Sequence, residues 1–306
     1  MKKFLQRLLL FALPLVVIWA GIELLYRTIP NNYSLKNTNV VKHYTDAEVL
    51  ILGNSHSFFG INPQYFKSKA FNFSNVSQGL FADELLFNKH IERFGNLKYL
   101  ILNVDYFTLS QKDNSSELEW RNYFYEAQMG IETDLVSNFD LKKYSLAFAP
   151  PFKVTVNSVQ DYFLKGTLAE CNSTGWAAKQ GVGPDNSPRM GIIIAKKHED
   201  GSVDFNNNIA RLKRIIQKCK SKNIHVILVT MPVTSYYAAE VNKSKLEKIF
   251  KVCGALDSGY DNVQYINLFQ DRRFNNSDFY DTDHLNTNGA KKCSKIINAS
   301  INIPTQ

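Results

Sequence analysis

Ala47-Glu48-Val49-Leu50-Ile51-Leu52-Gly53-Asn54-Ser55-His56-Ser57 is the stretch on which the fold turns. Its apolar run is short, has no polar alternation and stops at a glycine. That is the signature of a strand buried on both faces that runs out of a parallel sheet into a loop. Downstream, strand-like runs recur at 70–74, 97–104, 224–230 and 263–267. Between them lie stretches with helical spacing: Leu85, Leu86, Ile91 and Phe94; Ile209, Leu212, Ile215 and Ile216; 241–253; and Ala290, Cys293, Ile296 and Ile297 within 289–301. Strands alternating with helices join one sheet only through right-handed crossovers, with helices on both faces. The expected fold is therefore α/β: a single parallel sheet of about five strands in the flavodoxin-like manner, with the site at the C-terminal ends of the strands.

The middle of the chain, about 106–203, is turn-rich and aromatic, with Ala149-Pro150-Pro151 and Gly181-Val182-Gly183-Pro184. It reads as an insertion into the sheet domain, which is expected to span 46–306. At the other end, Lys2, Lys3 and Arg7 precede an uncharged apolar stretch from Leu8 to Ile22 that continues to Tyr26. As a helix, residues 8–26 measure about 28 Å at ~1.5 Å per residue, enough to cross a bilayer. Glu23 then lies near the outer edge, with Trp19 and Tyr26 as interfacial aromatics. Bulky residues around Ile18-Trp19-Ala20 make a poor cleavage site, so 1–26 reads as a retained signal anchor with the rest of the chain exported. Residues 27–45 are polar, Asn-rich and without apolar period, and read as a tether.

Composition narrows the function classes. The chain has 306 residues, 44% of them hydrophobic, and 36 Lys+Arg against 28 Asp+Glu give a formal charge of +8. This is ample material for a core, and disorder is excluded. The positive charge is spread thinly rather than gathered on one stripe with stacking aromatics, so no nucleic-acid partner is expected. Cys171, Cys219, Cys253 and Cys293 stand far apart without a CxxC pair. No metal site or cofactor is implied, at most two disulfides are possible, and the three helical cysteines read as buried thiols.

Chemistry concentrates at two strand ends. Ser55 sits between the first strand and a helix start, where a hydroxyl is exposed and backed by backbone N–H groups. Near the other end of the chain, Asp281-Thr282-Asp283-His284-Leu285-Asn286 precedes the last helix. With Asp281 and His284 three apart, one turn can aim the carboxylate at the imidazole edge and leave the other ring nitrogen for a serine. A serine nucleophile with an Asp–His base is the arrangement of acyl transfer. His56 adjoins Ser55, but adjacent side chains point apart, so it reads as structural or at the substrate edge. His225 reads as a core residue within its strand.

In these two blocks and in its succession of elements from about Ala47 to Ile301, the chain resembles the SGNH (GDSL-like) hydrolase superfamily. The membrane segment and middle insertion are similar to its exported polysaccharide O-acyltransferase-like and D-alanyl-transfer branches. The resemblance implies Ser55 as nucleophile, His284 as base and Asp281 as its orienter. The oxyanion would be held by the Ser55 N–H, by Gly79 after the second strand, and by Asn103 in Asn103-Val104-Asp105-Tyr106. Asn54 stands where the family usually has Asp, and the third block lacks its usual Gly. The implied activity is esterase or O-acyltransferase chemistry on an acylated cell-envelope carbohydrate or other ester, and the partner the resemblance implies is a membrane acyltransferase. The alternative is an inactive scaffold that binds glycan or assists such a partner. Alkaline carbonate extraction checks the anchor: the protein is expected in the membrane pellet, and release into the supernatant would contradict a retained span.

Overall fold

The computed structural model describes residues 1–113 and 115–301. Its strands are β1 Val49–Leu52, β2 Ala70–Asn72, β3 Tyr99–Asn103, β4 His225–Thr230 and β5 Val263–Asn267. The helices of the first half are α1 Lys2–Thr28, α2 Asn32–Lys42, α3 Ser55–Gly60, α4 Leu80–His90, α5 Ser116–Met129 and α6 Phe152–Lys165. Those of the second half are α7 Pro188–His198, α8 Asn206–Ser221, α9 Ser235–Ala238, α10 Lys243–Gly259 and α11 Thr287–Ile301.

All five strands pair in parallel, in the order β2-β1-β3-β4-β5. β1 lies between β2 and β3, so its C-terminal end opens where the first crossover goes one way and the second goes the other, at the topological switch point. Alternation across the strands explains the layers. Val49, Ile51, Ile101, Ile227 and Val229 share one face and pack with Ile61, Leu285 and the α11 residues Cys293, Ile297 and Ile301. Leu50, Leu52, Leu100, Leu102, Val226 and Leu228 point to the other face and are fully buried. On that side α8 lies against β4 and α10 against β5, with α4 beside α8. The expected parallel α/β sheet is thus what the chain forms.

Contacts divide the chain into two units, residues 1–37 with 115–170 and residues 38–113 with 171–301. This boundary differs from the expectation of one insertion over 106–203. Residues 171–203 belong with the sheet, and their α7 packs on α9. The stretch read as a tether, 27–45, contains α2. Its apolar residues are too few to show a period, yet Tyr33 and Val40 are buried, so packing supplies what the pattern lacks. His225 is the first residue of β4 rather than its middle; it is half-buried and stacks on Tyr99 with ring centroids 5.8 Å apart. All four cysteines are free and buried. Helix α1 is long and apolar enough to cross a membrane.

Candidate active site

The turn that carries Ser55 is built from backbone constraints. β1 ends at Leu52, and Gly53 takes φ +129°, a conformation that L side chains rarely adopt. A Cβ at Gly53 would lie 1.6 Å from Asn103 Oδ1, so the chain passes directly against the end of β3. Asn54 N–H donates to Asn103 Oδ1 (3.0 Å), and Gly53 N–H donates to Asp83 Oδ1 (3.0 Å). The Asn54 side chain then caps α3 by accepting from His56 N–H at 2.9 Å. Ser55 is left as the first residue of that helix, half-buried.

Asn103 closes β3 beside this turn. One of its amide hydrogens goes to Asn54 Oδ1 (3.0 Å) and the other to Asp105 Oδ2, so both donors are committed to holding the turn. The same ring accounts for Asn54, whose Nδ2 donates to Asp105 Oδ2 at 3.1 Å. An aspartate at position 54 would set a second carboxylate against Asp105. Gly79 lies at the N-cap of α4 with φ −101° and ψ 169°, backbone that any residue adopts. The loop carrying it is tied to the turn where Asn75 N–H donates to Gly53 C=O at 3.1 Å.

Asp281 and His284 arrive on the loop before α11. Asp281 Oδ1 accepts from the backbone N–H of Asp283 (3.1 Å) and of His284 (2.8 Å), closing the turn on itself. Both Asp281 carboxylate oxygens lie 3.0 Å from His284 Nδ1. The other ring nitrogen, Nε2, is 2.8 Å from Ser55 Oγ. With Nδ1–H directed at the carboxylate, Nε2 presents its lone pair to the serine hydroxyl, which donates to it. Ser55, Asp281 and His284 are therefore brought together at hydrogen-bonding distance.

Behind this row lies a buried layer that sequence reasoning did not identify as part of the site. His56 is buried, with Nε2 3.1 Å from Asp283 Oδ2 and Nδ1 2.9 Å from Asp105 Oδ2. Burial opposes its charge, but Asp105 and then Asp283 outweigh that and raise its pKa to about 10. Asp283 also meets His284, with Oδ1 3.4 Å from Nδ1, and is held well below the usual carboxylate range; burial works against this, and His284 and His56 prevail. His198 stands on the far side, 3.9 Å from Asp283 Oδ2, accepting or donating at 2.9 Å to Tyr237 OH. Burial pushes its pKa down to about 4, so it is neutral. The available signal was adjacency: Ser55-His56 and Asp283-His284 are neighbouring pairs, and the turn that joins Ser55 to His284 also joins His56 to Asp283.

His56, Asp283 and His284 are a group whose possible metal-ligand atoms lie within 4.8 Å of one another. Both nitrogens of His284 are already engaged, Nδ1 with Asp281 and Nε2 with Ser55.

Residues 172–187 strap both halves of the site. Trp176 Nε1–H donates to Phe59 C=O (2.7 Å) and Ala177 N–H to Phe58 C=O (3.2 Å), just past the serine. Farther on, Thr287 N–H at the start of α11 donates to Lys179 C=O (2.8 Å), and Gly183 N–H donates to Tyr280 C=O (2.6 Å) on the loop before it. The strap sets Lys179 Nζ 4.4 Å from the Phe59 ring and 5.4 Å from that of Tyr280. Phe59 in turn meets the His284 ring edge-on, with centroids 5.5 Å apart.

No protein-family model matches this chain, and no curated protein matches it. Solved structures do. One is a GDSL-like lipase from Bacteroides thetaiotaomicron VPI-5482, at 10% identity and TM-score 0.41, covering 88% of this chain and 95% of that one. A proposed acylhydrolase from Bacteroides fragilis NCTC 9343 is similar at 12% identity and TM-score 0.41, over 88% and 94% of the two chains. A proposed platelet activating factor from Streptococcus pneumonia is similar at 12% identity and TM-score 0.43, over 95% and 98%. Chemistry is read from the site itself.

The charge on His56 has a measurable sign. Its folded pKa is raised from 6.5 to about 10, so its contribution to stability is complete below pH 6.5 and is lost as pH rises toward 10. Denaturant unfolding across this range should show wild-type stability declining, and His56→Gln should flatten that decline. At neutral pH the variant should be less stable by about 3–5 kcal/mol, because two buried carboxylates lose their shared cation. Equal slopes for the two proteins would remove His56 as a charged group.

Proposed function

We propose that this chain is a serine-dependent acyl-ester enzyme of the SGNH (GDSL-like) class. The observation that carries the reading is the continuous relay from Asp281 through His284 to Ser55, closed at 3.0 and 2.8 Å. In this mechanism Ser55 Oγ attacks the acyl carbon while His284 Nε2 takes its proton, and Asp281 holds the ring and offsets the imidazolium charge. The Ser55 N–H at the start of α3, with Gly79 nearby in the chain's second loop, receives the oxyanion. His284 then returns the proton to the leaving oxygen, and an acyl group remains on Ser55. Water or a second hydroxyl completes the cycle as hydrolysis or transfer.

The substrate proposed is an acylated carbohydrate of the cell envelope. α1 would hold the protein in the cytoplasmic membrane, and Lys2, Lys3 and Arg7 on the inner side would place the sheet unit outside. A membrane acyltransferase is the partner this placement favours. Labelling with a fluorophosphonate probe followed by peptide mass spectrometry tests the nucleophile. An adduct is expected on Ser55, absent in Ser55→Ala and strongly reduced in His284→Ala. Hydrolysis of 4-nitrophenyl acetate should fall by about 10³–10⁴ in kcat/KM for His284→Ala and Asp281→Asn. If the variants keep envelope acylation while deletion of the whole sheet unit abolishes it, the enzyme reading fails and the scaffold role replaces it.

Lys179 adds a preference within the same reading. Its ammonium lies over Phe59 at the edge of the His284 ring, and among the described residues no carboxylate pairs with it. An ester with a negative charge on its alcohol side is therefore favoured over a neutral one. Wild type should process 4-acetoxybenzoate several-fold better than the neutral 4-acetoxybenzamide, through KM. Lys179→Met should erase about 1 kcal/mol of that discrimination, roughly fivefold, and leave 4-nitrophenyl acetate turnover unchanged. Equal KM ratios in wild type and variant would remove Lys179 from recognition.

A further inference from the structure

The smaller unit displays large apolar side chains on its surface. Phe139 is 98% exposed, Phe152 84% and Phe163 80%, with Leu141, Phe148 and Leu164 also exposed. Single exposed apolar residues are ordinary, but these are large and grouped. Phe139, Leu141 and Phe148 line one shallow depression. Phe152 and Phe163 are eleven residues apart on α6, about three turns, and so stand on one face of the helix.

Their height relative to α1 is set by contacts within the same unit. Trp19 Nε1–H donates to Ser145 Oγ (2.9 Å), and the Trp19 ring stacks on Phe148 with centroids 6.3 Å apart. Glu23 accepts from Ser145 Oγ (2.8 Å) and from Ala147 N–H (2.9 Å), and pairs with Arg27. Tyr26 OH donates to Thr155 Oγ1 at 3.2 Å. The 145–155 stretch thus lies beside residues 19–26. If α1 crosses a bilayer after its last inner charge at Arg7, a span of ~20 residues ends near Arg27, which makes 19–26 its outer third. Whatever is fastened there sits at the boundary of hydrocarbon and headgroups. A carboxylate at that depth needs internal partners, and Glu23 has them.

We propose that residues 137–165 rest in the outer interfacial layer of the same bilayer that α1 crosses, with Phe139, Phe148, Phe152 and Phe163 inserted among the lipids. The unit is then a membrane foot, holding by a second contact besides the single helix. It rests on the reading of α1 as a span, and the partner is lipid rather than protein.

The test uses the full-length protein in vesicles of phosphatidylcholine and phosphatidylglycerol. Nitroxide labels are attached at Phe139→Cys and Phe152→Cys, and at Glu247→Cys on the exposed face of α10 as a water-facing control. The four native cysteines are buried. Collisions with dioxygen and with a polar nickel chelate are compared by electron paramagnetic resonance. The labels at 139 and 152 should favour dioxygen over nickel by severalfold relative to the label at 247. Equal nickel accessibility at all three sites overturns the proposal. So does shielding of 139 and 152 from both reagents, which means a protein covers the patch. If carbonate releases the chain, the span itself has failed. Retention in the pellet with water-exposed labels means that the span holds and only the foot has failed.

Discussion

One buried cation organises the site. His56 lies between Asp105, just beyond β3, and Asp283, on the loop before α11. Without it two carboxylates would face each other in a desolvated space, and each would take up a proton or swing out. With it the Ser55 turn, the third strand end and the loop that carries His284 are bound to a single charge. Ser55 and His284 are the immediate neighbours of His56 and Asp283 in sequence. Their alignment therefore follows from a pairing one residue away, held out of solvent.

The turn that delivers Ser55 shows how little freedom remains. Gly53 presses on Asn103, Asn103 holds Asn54, and Asn54 caps α3, with each polar group answering another. A fully satisfied polar network of this kind is rigid, because any displacement leaves a buried donor or acceptor unpaired. Asn103 is then a positioning group. Asn54 Nδ2 donates to Asp105, so an amide at position 54 suits the carboxylate beside it.

The two units differ in the apolar surface they leave exposed. In the sheet unit the branched residues of β1, β3 and β4 are wholly enclosed, and helices cover both faces. In the smaller unit Tyr26, Tyr123, Phe124 and Tyr125 are buried, while Phe139, Phe152 and Phe163 stay on the surface. Exposed aromatic side chains suit a low-dielectric surrounding, where apolar groups need no cover.

The sequence by itself determined the strand and helix alternation, because buried parallel strands need uninterrupted apolar runs and their helices need a 3.6-residue period. It also determined the terminal apolar helix and the pair of blocks at Ser55 and Asp281–His284, since strand-end positions are marked by where those runs stop. The tertiary structure decided what periodicity does not encode. α2 is helical through burial of Tyr33 and Val40 rather than through a pattern, and the 106–203 stretch divides between two units. His56 gained its charge only where Asp105 and Asp283 meet it from elements far apart in the chain. The amide hydrogens of Asn103 met Asn54 and Asp105 only there. Electrostatics and hydrogen-bond saturation depend on distances between residues remote in sequence, and those distances exist only once the sheet has closed.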